Sequence, residues 1–390
     1  MDNSAASALS YAQQGVYIDC ILHPEKLNYN IPYSLTFSNL VSPQKLAEAT
    51  SRVLACHPSL FSVFENRGEM AVQVFSSERS IQVNIRNVAD DEVPTAKAAF
   101  VRNFDIEHGP LCRAEVLATP TATILLIDIH HLVCDGASMN LLLHEICSTL
   151  EGNAPAEEQQ SYAAFAEAQQ SNTLNNKVYY DRLLADVEPT SLPADLNGGS
   201  GDHKEVVWQV SADNVMERAK AMGTAPSALF MSAAFYTLAR FVNTKSVCMT
   251  TISNGRLNPL TEGVVGMFVN TIPLVSKLED VSVKEYILQT REMFVKTRQH
   301  EEYPFGNLAN DYGIEQKVRF TYQYGTYKLL TVDGKEVKRE RLRTNDHENP
   351  FTVTVNEVDG KPAIIINYDS ALYHLSAYHP LPEEVWPVRR

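Results

Sequence analysis

Long apolar runs are missing from this sequence: nothing in its 390 residues approaches the roughly 20 apolar residues that carry a helix across a bilayer. Membrane insertion is therefore not expected. Basic charge is also scarce, with 33 Lys and Arg against 47 Asp and Glu and a formal charge of −14. Nucleic acids and anionic membrane surfaces both need clustered cations, so neither is expected as a partner. Cysteine is sparse and scattered, at 20, 56, 112, 134, 147 and 248, without pairing motifs. No CxxC or HExxH spacing supplies a metal ligand set, so no metal is expected, and a reducing cytoplasm is. Met1 to Leu9 has neither a basic start nor an apolar core, so no secretion signal is expected there.

The apolar and charged fractions, 44% and 21%, are ordinary for a globular protein. The length allows two lobes with their own cores. The chain is organised around His130-His131-Leu132-Val133-Cys134-Asp135-Gly136. An apolar run, Ile124 to Ile129, precedes it and reads as a buried strand. Met139 to Leu150 follows with helical spacing. A polar cluster between a rigid strand and a helix start is a common place for chemistry. Adjacent histidines on extended backbone point to opposite faces, so one can support the loop while the other faces a substrate. On these residues alone, a satisfied core histidine and a catalytic one both stay open.

From the start, Ser10 caps a helix over Tyr11 to Tyr17, Ile31 to Phe37 reads as extended, and Ser42-Pro43 opens a helix to Leu54. Strands are expected at Ala71 to Phe75 and Ile81 to Ile85, a helix from Pro94 to Phe104, and a strand from Leu111 to Leu117. The first half is thus mixed α and β on a mainly antiparallel or mixed sheet. Helices are expected at Tyr162 to Gln170 and Val178 to Val187, and Glu188 to Asp202 reads as a linker or surface excursion. The second half repeats the pattern. Glu205 to Val210 is a strand, Ser211 to Met222 and Pro226 to Phe241 are helices, and Val247 to Ser253 is a strand. A long amphipathic helix, Val283 to Gln299, leads to a β-rich end with hairpin signals at Asp333-Gly334 and Asp359-Gly360. The basic run Lys335 to Arg343 reads as a solvated edge strand.

His130 to Gly136 resembles the HHxxxDG signature of the condensation domains of nonribosomal peptide synthetases. Chloramphenicol acetyltransferase and related acyltransferases share that signature in looser form. Seven further segments resemble the family's motifs in the family's order. Ser10 to Gln14 resembles SxAQ, His57 to Phe64 HxxLxxxF, and Phe104-Asp105 with Gly109 to Leu111 the FD…GPL segment. Ser161 to Phe165 resembles YxDFA, Gly266 to Thr271 GxFVNT, Tyr303 to Phe305 YPF, and Tyr368 to Tyr373 YDSALY.

The resemblance implies an α/β (α+β) fold of two chloramphenicol acetyltransferase-like lobes, residues 1–172 and 173–390, in a V with a tunnel and active site between them. It implies an acyltransferase that forms a peptide bond. The amine of an aminoacyl group on an acceptor peptidyl carrier protein attacks an acyl or peptidyl thioester on a donor carrier. Both substrates ride on phosphopantetheine, and no cofactor is bound directly. An adenylation domain of the same synthetase is the implied neighbour.

The family pattern puts proton transfer or amine positioning on His131 and makes His130 structural. Gly136 is implied to allow close substrate approach or an unusual backbone angle, and its amide is a candidate oxyanion donor. Asp135 is implied to pair with Arg256 in support of the loop, and Ser138 and Asn270 to line the tunnel. Keeping His130 separates the chain from heterocyclising relatives, and the absence of Trp shortly after Asp135-Gly136 separates it from epimerising ones. Two departures stand against this. The RDxSRNPL segment is missing, with Gly313 to Lys317 in its place, and His374 to Arg390 does not read as the family's final helix. A non-catalytic carrier-docking module and a free-standing coenzyme A-dependent acyltransferase therefore stay open as rivals, and so does a degenerate or partial copy.

Overall fold

The computed structural model describes residues 6–38, 41–68, 70–169, 173–196, 202–325, 328–342, 351–358 and 361–373. The first half runs β1 (Ala6–Ala8), α1 (Tyr11–Leu22), β2 (Asn30–Ser38), α2 (Pro43–Ala55), β3 (Ser62–Arg67) and β4 (Met70–Phe75). It continues with β5 (Asn84–Asn87), α3 (Val93–Phe100), β6 (Cys112–Ala118), β7 (Ala122–His130), α4 (Gly136–Leu150) and α5 (Tyr162–Gln169). The second half opens with α6 (Thr173–Leu183), β8 (His203–Gln209), α7 (Ala212–Met222), α8 (Pro226–Phe241), β9 (Ser246–Ser253) and β10 (Asn270–Lys277). Then come α9 (Val283–Arg298), α10 (Phe305–Tyr312), β11 (Arg319–Tyr322), β12 (Thr331–Val332), β13 (Lys335–Glu336), β14 (Lys338–Arg341), β15 (Phe351–Val358) and β16 (Lys361–Asp369).

Two main sheets organise these elements. The first is five-stranded in the order β14-β2-β7-β6-β5, antiparallel except for the β5–β6 pair. The second is six-stranded, β10-β9-β11-β15-β16-β8, with β11 parallel to both of its neighbours. Strand β7 is central and buried from Thr123 onward, so its run of apolar residues packs on both faces. Its core partners include Leu35, Phe37, Leu142 and Leu143. Phe235, Met249, Leu274, Phe320 and Val355 form the centre of the second core.

Strand β14 comes from the second half of the sequence yet forms an edge of the first sheet. Leu330, Val332 and Val337 around it join the first core, as do Val265 and Met267. The β12–β13 turn has Asp333 and Gly334 at φ 50° and 70°, as an Asp-Gly hairpin requires. The second hairpin's Asp359-Gly360 lies outside the described residues, as do Arg343 and the segment 374–390.

Several expected boundaries move. Ile81 and Val83 pack on the first core without pairing, and the strand is β5, three residues later, because only there does the chain lie beside β6. Helix α3 stops at Phe100, where Val101 turns to extended backbone; beyond it the Arg102 carbonyl accepts from Asn30 Nδ2 and that of Asn103 from Arg113 Nη2. Helix α6 starts and ends about a turn earlier than expected. The described part of the Glu188 to Asp202 segment is no free linker. Thr190 exchanges hydrogen bonds with the Cys248 backbone, and Leu192 is buried in the second core. In place of the missing family segment, Gly313 closes α10 in a left-handed conformation and Ile314 is buried, which makes a short path into β11.

Candidate active site

Strand β7 delivers the two histidines to opposite faces. His130 is its last residue, 5% exposed. Its Nδ1 accepts the Leu132 N–H at 3.2 Å, which places the proton on Nε2, 3.7 Å from Cys20 Sγ. The edge of Phe104 meets its ring at 5.8 Å. Burial, helped by His131 and Arg113, pulls its pKa down to about 3, so the ring stays neutral. A cavity of about 310 Å³ opens on this side, walled by Cys20, Tyr29, Asn30, Phe104 and His130.

His131 lies past the strand end, half-buried, with its N–H on the Tyr29 carbonyl at 2.7 Å. Its Nδ1 is 3.0 Å from Met267 Sδ, a residue of the second half of the chain. Burial lowers its pKa, while Asp135 and a hydrogen bond to its own backbone pull the other way. The ring is therefore in its basic, uncharged form near neutral pH.

Asp135 is fully buried and caps α4, its Oδ1 accepting the Ser138 N–H at 2.7 Å. Oδ1 also faces Arg256 Nη2 at 3.3 Å, and Oδ2 accepts the Phe268 N–H at 3.2 Å. Arg256 gives Nη1 to the carbonyls of Thr261 and Val264, at 2.8 and 3.0 Å, and lies over the Phe268 ring. The expected pair thus forms, and it binds the motif loop to the 261–268 segment. Gly136 is the first residue of α4 and has no positive φ, so the unusual backbone angle is not found. Its N–H belongs to the first helical turn, whose donors have no carbonyl partner within the helix.

Ser138 and Asn270 were expected along a tunnel, but neither faces solvent, at 0% and 7% exposed. Ser138 Oγ accepts from Arg256 Nη2 at 2.7 Å and from the Gly266 N–H, and donates to the Gly266 carbonyl. Asn270 Nδ2 donates to the carbonyls of Glu301 and Tyr303, at 2.6 and 2.8 Å. Their polar groups are used up in ordering loops. Glu301 in turn bonds Ser253 Oγ and the Leu257 N–H, fixing both ends of the turn that carries Arg256.

Other residues of the motif segments reach the site through contacts that no local pattern shows. Gln13 of the SxAQ segment donates to the Leu132 carbonyl at 2.8 Å, directly bracing the histidine loop. Tyr162 of the YxDFA segment donates to the Met267 carbonyl at 2.5 Å, and burial pushes its pKa up. His57, from HxxLxxxF, is buried between Glu145 and Glu158. The motif matches were the available signal, since each side chain reaches a partner far away in sequence.

No described helix is long and apolar enough to cross a membrane. Among the described residues, no group of three or more His, Cys, Asp and Glu is placed to hold a metal ion.

Known proteins resemble this arrangement throughout its length. Bacitracin synthase 3 of Bacillus licheniformis is 24% identical over 392 residues, and Surfactin synthase subunit 1 of Bacillus subtilis (strain 168) 26% over 391. These alignments cover 95% and 94% of this chain but only 6% and 11% of those proteins. Among solved structures, the condensation domain from the Monacolin K polyketide synthase MokA superposes with a TM-score of 0.80, covering 95% of this chain and 93% of that one at 16% identity. The first condensation domain of the calcium-dependent antibiotic synthetase, solved with a substrate analogue, gives 0.77, covering 96% and 93% at 16% identity. A four-domain nonribosomal peptide synthetase, AB3403, also gives 0.77, with 96% of this chain on 32% of that one at 18% identity. The fold is therefore the two-lobed, chloramphenicol acetyltransferase-like one of condensation domains. The family model for the condensation domain matches residues 3–383, the whole of both sheets and the site between them, and the chain belongs to that family.

Proposed function

We propose that this chain forms amide bonds between two carrier-bound substrates, as a catalytic condensation domain in nonribosomal peptide synthesis. The observation that carries the reading is His131: half-buried, uncharged, and held on one nitrogen by Met267 from the other lobe. A thioester needs no strong nucleophile made from a hydroxyl. It needs a neutral amine held at the carbonyl carbon and relief of the proton released as the bond forms.

The amine nitrogen attacks the thioester carbon, the C–N bond forms and the C–S bond breaks. The proton leaves the amine and ends on the departing phosphopantetheine thiolate. His131 Nε2, the nitrogen turned away from Met267, takes that proton or aligns the amine, help typically worth about 10²–10⁴-fold. The Gly136 N–H, at the positive end of α4, is the oxyanion donor of this scheme. Asp135 belongs to no triad here, because its oxygens serve α4, Phe268 and Arg256.

Donor and acceptor carriers are the partners in this reading, with an adenylation domain in the same cytoplasmic synthetase. The likeness to Bacitracin synthase 3, Surfactin synthase subunit 1 and a four-domain nonribosomal peptide synthetase supports it. The test runs two assays side by side: this domain with an acyl-loaded and an aminoacyl-loaded carrier, and this domain with acyl-coenzyme A and free amines. Product on the acceptor carrier alone is expected. Turnover only of acyl-coenzyme A would move the assignment to a free-standing acyltransferase, and no product in either would favour a docking module.

A further inference from the structure

His57 follows α2 and is 1% exposed. Its Nδ1 is 2.7 Å from Glu158 Oε1 and its Nε2 2.8 Å from Glu145 Oε2. Carboxylates only accept hydrogen bonds, and a neutral imidazole donates from one nitrogen only. Both contacts are hydrogen bonds only in the imidazolium. Glu158 lies on the connection between α4 and α5, and its Oε1 also accepts the Val265 N–H at 2.8 Å. Two residues on, Met267 Sδ faces His131, and the Phe268 N–H sits on Asp135.

We propose that His57 is a positioning residue for the reaction assigned above. Shared between Glu145 and Glu158, it keeps Glu158 on the Val265 N–H and so holds segment 264–270 against His131. The latch rests on that functional reading only in its link to rate; its geometry stands by itself. Burial disfavours the charge on the ring, but hydrogen bonds to Glu145 and Glu158, with their charges, hold the pKa up to about 9. Other charges nearby are Glu157, on the same connection as Glu158, and Arg52 and Arg79, which act with Glu145 on neighbouring Cys56. Residues 264–267 bring none.

Glu145→Gln gives the discriminating variant. Its amide N–H can donate to a neutral Nε2, so both contacts survive loss of the proton. The full chain is titrated from about pH 7 to about pH 10, following the His57 ring and the Val265 amide by NMR with labelled histidine and valine, alongside product formation. In the parent, ring and amide should shift together near pH 9, and the ratio of parent to Glu145→Gln rates should fall as pH rises through that value. His57→Gln should displace the Val265 resonance at all pH values, and its melting curve separates misfolding from a lost latch. A Val265 amide that ignores the His57 titration overturns the latch, whatever the rates do. Equal alkaline profiles for parent and Glu145→Gln overturn its role in rate. A coupled titration in a parent that makes no product keeps the latch and sinks only the reaction.

Discussion

Asp135 spends one carboxylate on three groups: the start of α4, the Phe268 N–H and Arg256. Removing one member of such a buried pair leaves the other charge unmet, at a cost of about 3–5 kcal/mol. Asp135→Ala and Arg256→Ala should each destabilise on that scale. In a denaturant double-mutant cycle the pair should couple by roughly 1–3 kcal/mol, and strictly additive losses would show that the two do not interact. This pairing is legible through the family resemblance, because Asp135 sits in one motif and Arg256 at the matching place before another. The environments of Ser138 and Asn270 are not: the same positions fit a tunnel wall or a buried tie, and only burial separates the two. The clamp on His57 is equally hidden, its partners lying 88 and 101 residues away.

At the level of elements, the turns flanking Arg256 and Met267 depend on two glycines. Gly255 has φ +65°, and a Cβ there would overlap the Phe268 carbonyl; at Gly266 it would overlap the Tyr162 ring. Gly266→Ala should cost about 1–3 kcal/mol as overpacking. Gly255→Ala should cost more, adding roughly 1–2 kcal/mol of left-handed backbone strain to a clash with fixed main chain. By contrast Gly15, exposed within α1 with open space around it, should become more stable as Gly15→Ala by about 0.5–1 kcal/mol. Thermal melting should place Gly255→Ala lowest, Gly266→Ala next and Gly15→Ala above the parent, and equal losses at all three would refute it. Strand β14 makes a second case. Its charge identifies an edge, as the sequence suggests, but not which sheet it edges, since its partner β2 lies about 300 residues earlier. Replacing Lys338 and Arg341 by Val should raise self-association in light scattering, and an unchanged particle size would remove the protective role of these charges.

Across the whole molecule, two histidines of opposite shift bracket stability. The His57 proton is held to about pH 9 in the fold but only to about 6.5 in the free chain, so its contribution is full below 6.5 and lost as pH rises through 9. His130 stays neutral down to about 3, so its contribution is present above 6.5 and lost as pH falls toward 3. Denaturant midpoints across this range should therefore flatten on the alkaline side in His57→Gln and on the acid side in His130→Gln; unchanged slopes would contradict both assignments. The two lobes are legible from eight motifs in the family's order, and the crossing of β14 into the first sheet, with Leu330, Val332 and Val337 in the first core, is not, because long-range pairing leaves no local pattern. In the proposed reaction His131 acts on the amine where those lobes meet. Its most direct measurement uses two loaded carriers and follows the product on the acceptor carrier by mass spectrometry, for the parent and for His131→Ala with a matching melting curve. The parent should form product and His131→Ala should lose it by about 10²–10⁴-fold. A folded His131→Ala variant that makes product at the parent rate would contradict the claim.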